Sequence, residues 1–183
     1  IKRFVMLSVG SKFPDFRKKA VVSVTPGKEF AEVSSDDYKS KKKWLVMFWY
    51  PKDFTFVCPT EITEFDHQFK EFESRNTLLI GASTDSEYVH LAWRNQHPDL
   101  KNIHFPLLAD TSKSLAEALG ILENEEKVAY RVTYIVDPEG TVRWVCANDL
   151  SIGRNVDEVI RVLDALQTGK LTPCNWQKGK PTL

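Results

Sequence analysis

Cysteine is scarce in this chain. It carries three, Cys58, Cys146 and Cys174, and no two of them form a Cys-x-x-Cys pair. Three scattered thiols are too few for the disulfide framework of a small secreted domain. The missing pair excludes a classical dithiol oxidoreductase. Long hydrophobic runs are missing as well, and none reaches the ~18 residues a membrane-spanning helix requires. The segment Phe4 to Val9 is apolar but too short for the core of a signal peptide, and no small-residue cleavage site accompanies it. Met6 then reads as the start, with Ile1 to Val5 a remnant. An odd cysteine count without a leader fits a reducing, cytoplasmic setting.

An excess of either charge sign is absent, since Lys plus Arg and Asp plus Glu each number 25. No global field therefore draws the chain to nucleic acid or to a membrane. One basic run, Lys39 to Lys43, reads as a solvated loop because Asp36 and Asp37 flank it. The histidines His67, His90, His97 and His104 form no metal-ligand spacing with the cysteines. The eight glycines make neither a phosphate loop nor a dinucleotide fingerprint. No metal and no cofactor are expected.

What is present suffices for a core. Of the 183 residues, 42% are hydrophobic, which is one domain's worth of material. No repeat, low-complexity tract or shift of composition marks a second domain. The pattern predicts a buried strand at Trp44 to Tyr50, ended by Pro51. From Pro59 the period becomes helical, with Ile62, Phe65, Phe69 and Phe72 on one stripe. A strand at Leu78 to Ser83 follows. Thr84-Asp85-Ser86-Glu87 then reads as a capping box opening a helix through Trp93. Leu107 to Ala109 is a short strand, and Thr111 to Leu119 a helix stopped by Gly120. Val132 to Val136 and Thr141 to Cys146 form a hairpin around Asp137-Pro138-Glu139-Gly140. Asn155 caps a last helix with the stripe Val156, Val159, Ile160, Leu163 and Leu166. The tail after Gly169 has no period and reads as an extended arm. The whole is an α/β sandwich pattern.

Chemistry concentrates at the junction between the strand ending at Pro51 and the helix opening near Pro59. Cys58 lies there, in the first helical turn, where unpaired amides and the helix dipole favour an anion. A thiolate is the nucleophilic form of cysteine. An arbitrary free cysteine is more often an inert filler. Here two flanking prolines and a hydroxyl at Thr55, three residues before the sulfur, favour a reactive role.

These residues resemble the peroxiredoxin family. The Pro-x-x-x-Thr-x-x-Cys pattern stands at Pro51, Thr55 and Cys58, inside the string Asp53-Phe54-Thr55-Phe56-Val57-Cys58-Pro59-Thr60-Glu61. That string is similar to the typical two-cysteine, alkyl hydroperoxide reductase C type. His90-Leu91-Ala92-Trp93, Arg131, Val136-Asp137 and Gly153 to Glu158 extend the resemblance, which runs from about Ser8 to Leu183. It implies a thioredoxin-like fold, with a central mixed sheet flanked by helices. The chain 1–183 would be a single domain, with a core at about 8–168 and a C-terminal arm at 169–183. It also implies reduction of hydrogen peroxide and alkyl hydroperoxides, with antioxidant defence as the setting.

On the family pattern Cys58 is the peroxidatic cysteine, Thr55 hydrogen-bonds the peroxide and Pro51 shields the pocket. Arg131 is the pocket arginine, and Arg154 a second cation near the thiolate. Spacing alone would leave both arginines as surface cations. Attack on an O–O bond develops charge on oxygen, and a guanidinium offers fixed donors that keep their protons. Glu61 is a candidate to pair with one of these arginines, or else simply an acidic residue near the helix start.

The sulfenic acid formed on Cys58 condenses with a second thiol. Cys146, at the end of a hairpin strand, is expected to be buried and structural. Cys174, on the arm, is assigned as the resolving cysteine of a neighbouring subunit. The tail departs from the family pattern, because typical members place that cysteine four residues before the tryptophan. Here Thr172 holds that position, and Cys174 stands two residues before Trp176. The Gly-Gly-Leu-Gly insertion and the added Tyr-Phe helix of sensitive members are also lacking, so resistance to overoxidation is expected. The implied partners are a dithiol reductant (a thioredoxin-like protein or a flavin disulfide reductase system) and further copies of the chain, as a homodimer or a ring of dimers. Two rivals remain at this point: a Cys–His hydrolase with His67 as base, and a redox-regulated holdase chaperone.

Overall fold

A computed structural model describes residues 5–183. The expected remnant Ile1 to Val5 lies, apart from Val5, outside the described residues. In chain order the elements are β1 (Arg17–Val21), β2 (Phe30–Ser34), α1 (Asp36–Lys39), β3 (Trp44–Trp49), α2 (Val57–His67), α3 (Phe69–Ser74), β4 (Thr77–Ser83), α4 (Glu87–Gln96), β5 (Leu107–Ala109), α5 (Ser114–Leu119), β6 (Arg131–Val136), β7 (Val142–Asn148) and α6 (Val156–Gln167). The strands form one sheet in the order β2-β1-β5-β4-β3-β6-β7. The β3–β4 and β4–β5 pairs are parallel, and the remaining pairs are antiparallel. The expected α/β class with a mixed central sheet is what the chain adopts.

β3 explains the apolar run in the sequence. Successive side chains leave a strand on opposite faces. Leu45, Met47 and Trp49 enter one buried cluster with Ala20, Tyr134 and Leu115. Val46, Phe48 and Tyr50 enter another with Cys58, Ile62 and Phe65. With both faces covered, no polar alternation is needed. The second cluster fixes α2 against the sheet: the Phe65 ring stacks on Phe48 with centroids 4.0 Å apart and planes 9° from parallel. At Gly81, directly across from Phe48 in the β3–β4 register, a Cβ would lie 2.9 Å from both Phe48 Cζ and Leu107 Cδ2. The absence of a side chain there is what lets the aromatic layer close.

Several expectations change. β1, β2 and α1 were not foreseen. β1 opens Arg17-Lys18-Lys19 and so lacks an apolar alternation to read; it is held by its ladders to β2 and β5. The basic run is only partly a loop, since Lys39 closes α1 and reaches Asp15. The expected single helix through Phe72 is two, broken at Gln68 (φ −99°, ψ 12°). The cap of α4 is Ser86 rather than Thr84, with Ser86 Oγ accepting from Val89 N. α5 starts at Ser114, where buried Asp110 accepts from the amides of Leu115 and Ala116. Cys146 is exposed, not buried. β7 is the last strand of the sheet and burial fades along it from Val142, so its far end has no covering layer. Asn155 caps α6 as expected, accepting from Glu158 N at 3.0 Å.

Among the described residues, no helix is long and apolar enough to cross a membrane. The arm 169–183 has no regular element, yet it is docked. Trp176 is buried, its carbonyl accepts from Arg161 Nη1 at 2.8 Å and its indole N–H donates to Lys180 O at 2.9 Å.

Candidate active site

The loop 50–56 carries the chain from the end of β3 to α2. Phe54 takes a left-handed conformation (φ +57°), which turns the chain sharply enough to bring the helix start back over the sheet. No side chain caps α2. Cys58 is its second residue and is fully buried against the Val46–Phe48–Tyr50 face.

The nearest polar partner of the sulfur comes from the sheet. Arg131, the first residue of β6, places Nη1 3.3 Å from Cys58 Sγ. The same Nη1 donates to Glu61 Oε2 at 2.8 Å, and Nε donates to Leu150 O at 2.7 Å. Glu61 lies one helical turn after Cys58, so α2 presents sulfur and carboxylate to one guanidinium.

Glu61 meets the other arginine too. Arg154 Nε donates to its Oε1 and Nη2 to its Oε2, both at 2.9 Å. The Arg154 backbone amide adds a bond to Oε1 at 3.1 Å. Arg154 is fixed further by Trp49 O at 2.6 Å and Thr133 Oγ1 at 3.1 Å. Its guanidinium carbon sits 5.3 Å from the centre of the Phe48 ring, within cation–π range. The cluster therefore holds two buried guanidinium charges and one buried carboxylate, with the Cys58 sulfur against one of the cations.

Arg131 also reaches outward. With Pro51, Thr55 and Leu150 it lines an open cavity of about 520 Å³. Thr55 is half-buried, and its hydroxyl donates to Lys52 O at 2.8 Å. Pro51, Thr55 and Arg131 thus meet at one cavity, with Cys58 behind Arg131 and with Glu61 and Arg154 supporting from within. Cys174 is exposed on the arm, and all three cysteines are free. His67, the base of the hydrolase rival, is exposed and lies 3.6 Å from Glu64; its hydrogen-bond partners do not include Cys58.

A second buried network adjoins the site. Asp53, in the loop before Cys58, accepts from the Tyr50 hydroxyl at 2.8 Å and lies 2.6 Å from His90 Nδ1. His90 Nε2 lies 3.1 Å from Leu108 O. Both ring nitrogens face acceptors, an arrangement suited to a doubly protonated imidazole. Burial by itself would push the His90 ring down. The hydrogen bond and charge of Asp53, with the Leu108 carbonyl, outweigh it and hold the ring above its ordinary value. Burial raises the Asp53 carboxyl against the pull of His90, and burial followed by the Asp53 charge pushes the Tyr50 hydroxyl far up. Both shifts favour the protonated forms of the two groups. Asp53 and His90 are 37 residues apart, so no spacing could have joined them.

Comparison with known proteins places the chain in one family. A family described as the AhpC/TSA family matches residues 9–145. The chain is 47% identical to an alkyl hydroperoxide reductase C of Mycobacterium tuberculosis, over 97% of this chain and 94% of that protein. It is 44% identical to a putative peroxiredoxin, YkuU, of Bacillus subtilis, over 96% and 97% respectively. Among solved structures, Mycobacterium bovis AhpC superposes with a TM-score of 0.85 at 46% identity, covering 94% of this chain and 99% of that one. A reduced two-cysteine peroxiredoxin of Plasmodium vivax superposes with a TM-score of 0.87 at 38% identity, covering 96% and 92%.

Proposed function

The chain belongs to the AhpC/TSA family, as a peroxiredoxin of the alkyl hydroperoxide reductase C type, and from that premise we propose that its thiol-dependent reduction of peroxides runs through Cys58 at the Arg131 cavity. The observation that carries this reading is the double placement of Arg131, 3.3 Å from the sulfur and on the wall of the cavity that Pro51 and Thr55 share.

The first step is attack by the Cys58 thiolate on a peroxide oxygen. An S–O bond forms, the O–O bond breaks, and the departing alkoxide or hydroxide takes up a proton. Cys58 leaves as sulfenic acid, two electrons poorer, and the peroxide as alcohol or water. Arg131 donates to the oxygens on which charge develops. Thr55 directs its own proton to Lys52 O, which leaves its oxygen lone pairs for the peroxide O–H. Pro51 contributes a wall without an amide donor. Glu61 and Arg154 hold Arg131 in place.

In the second step the sulfenic acid condenses with the Cys174 thiol of a partner subunit, giving a disulfide and water. Cys58 is fully buried, so the first turn of α2 must open before this bond can form. A dithiol protein, thioredoxin-like or flavin-linked, then returns both thiols by exchange. A homodimer, with rings of dimers as the larger form, and a reducing cytoplasmic setting complete the reading; the odd count of three cysteines supports the latter. The holdase alternative finds no support in the comparisons.

The test is non-reducing electrophoresis after mild peroxide. A covalent dimer should form, vanish in Cys58→Ser and Cys174→Ser, and persist in Cys146→Ser. Peroxide consumption should fall to background in Cys58→Ser. Undiminished consumption by that variant would overturn the reading, and a dimer lost with Cys146→Ser instead would move the resolving role to Cys146.

A further inference from the structure

The cavity at Arg131 is acidic at its mouth. Four carboxylates line it: Glu123, Glu125, Glu126 and Asp149. Its cations are Lys52 and Arg131. Lys52 is tied to Glu126 in an ion pair, and Arg131 is engaged by Glu61. Lys127, in the same loop, does not line the cavity, though its charge reaches Glu123 and offsets part of the negative excess. What remains facing the opening is an excess of negative charge.

The carboxylates sit on a fixed frame. Leu122 and Ala129 form an antiparallel bridge that closes the loop between them, and the Glu123 amide bonds Val128 O at 2.8 Å. The Glu123 carboxylate accepts from the amides of Glu125, at 2.9 Å, and Glu126, at 2.7 Å. Those backbone bonds, that from Glu125 foremost, hold its carboxyl below the usual carboxylate range, so it stays charged into mild acid.

We propose that this mouth selects substrate by charge, with Glu123, Glu125 and Asp149 as specificity-determining residues that admit neutral hydroperoxides and slow those carrying a carboxylate. The proposal rests on the reading of the Arg131 cavity as the peroxide entrance. Hydrogen peroxide and simple alkyl hydroperoxides are uncharged at neutral pH and cross the mouth without an electrostatic cost. A hydroperoxide bearing a carboxylate meets several like charges at close range. For exposed charges in water each such pair is weak, so the combined effect is about fivefold in rate at low ionic strength. Salt should erase most of it, because the screening length shrinks from about 30 Å at 0.01 M to about 8 Å at 0.15 M. A cationic hydroperoxide should be favoured by a similar factor.

The experiment compares three hydroperoxides of similar size: tert-butyl hydroperoxide, a tertiary alkyl hydroperoxide carrying a carboxylate, and one carrying a quaternary ammonium group. The readout is the single-turnover rate constant for loss of the Cys58 thiol in the full chain, at low and at near-physiological salt. The expected order at low salt is cationic, then neutral, then anionic, with steps of about fivefold that shrink as salt is raised. In the combined variant Glu123→Gln, Glu125→Gln, Asp149→Asn, the ratio of neutral to anionic rates should approach unity. Glutamine at 123 still offers a carbonyl oxygen to the loop amides. Should the combined variant misfold, the pair Glu125→Gln, Asp149→Asn leaves the Glu123 anchor intact and should reduce the ratio by about two thirds in logarithmic terms. A wild-type rate series that ignores both charge and salt would overturn the proposal, as would a series unchanged in the variants. Failure of the neutral hydroperoxide to oxidise Cys58 at all would instead overturn the assignment of the cavity on which the proposal rests.

Discussion

At the scale of single residues the decisive group is Glu61. It is buried, and it receives hydrogen bonds from two guanidiniums. Removing one charge of a buried ionic cluster is costly because the partners stay behind, desolvated and uncompensated. Glu61→Gln should therefore lose about 3–5 kcal/mol of stability, read as a drop in the urea midpoint, and should slow Cys58 oxidation because Arg131 loses its anchor. His90 allows a prediction with a definite sign. Its folded value is raised, so the stability it contributes is fully present below its unfolded value of ~6.5 and fades as pH rises through the folded value. His90→Gln should destabilise the chain more at about pH 6 than at about pH 9, measured by urea unfolding at both. An equal loss at the two values would mean that the ring acts by shape alone. The sequence offers Glu61 as a partner for one of the two arginines, and the fold gives it both; His90 enters only as part of a family string, and spacing could not have joined it to Asp53. Their partners come from other elements, brought in by the sheet.

The secondary-structure elements show where a sequence is legible. β3, β6 and α6 announce themselves because their burial follows one simple period, and each was placed to within about two residues. β1 and β2 do not, because an outer ladder with few buried positions leaves hardly any apolar signal. The break between α2 and α3 was invisible for a different reason. Phe65, Phe69 and Phe72 keep helical spacing across it, while Gln68 is drawn aside to bond Glu64 Oε1 and Asp157 Oδ1, the second of these at the start of α6. The motif around Cys58 was fully legible, since it is local: strand end, turn and helix start lie in sequence order. The second half of the site was legible only through the family resemblance, since Arg131 and Arg154 reach it only through the β3–β6 register and the loop before α6. Sheet packing supplies its own test. Gly81→Ala would drive a methyl into Phe48 and Leu107, and overpacking of that kind costs about 1–3 kcal/mol. Thermal unfolding should show it, and Phe48→Leu in the same chain should recover part of the loss.

For the molecule as a whole, the question is how an arm without regular structure stays in place. Trp176 supplies most of the answer by burying its ring and exchanging backbone-level bonds with Arg161 and Lys180. Trp176→Ala should release the arm while leaving the sheet intact. Limited proteolysis should then trim residues beyond Gly169 faster, by about tenfold for each ~1.4 kcal/mol of docking lost, with little change in the unfolding midpoint of the core. The distribution of the three sulfurs over the molecule has a practical consequence. Cys146 and Cys174 face solvent, and Cys58 is sealed beneath the first turn of α2. A thiol reagent will consume the first two at once and then wait for the third. That waiting time is an internal clock: divided into the intrinsic labelling time of a free thiol, it reports the fraction of molecules in which the helix start has swung open, with no peroxide, partner or mutation required.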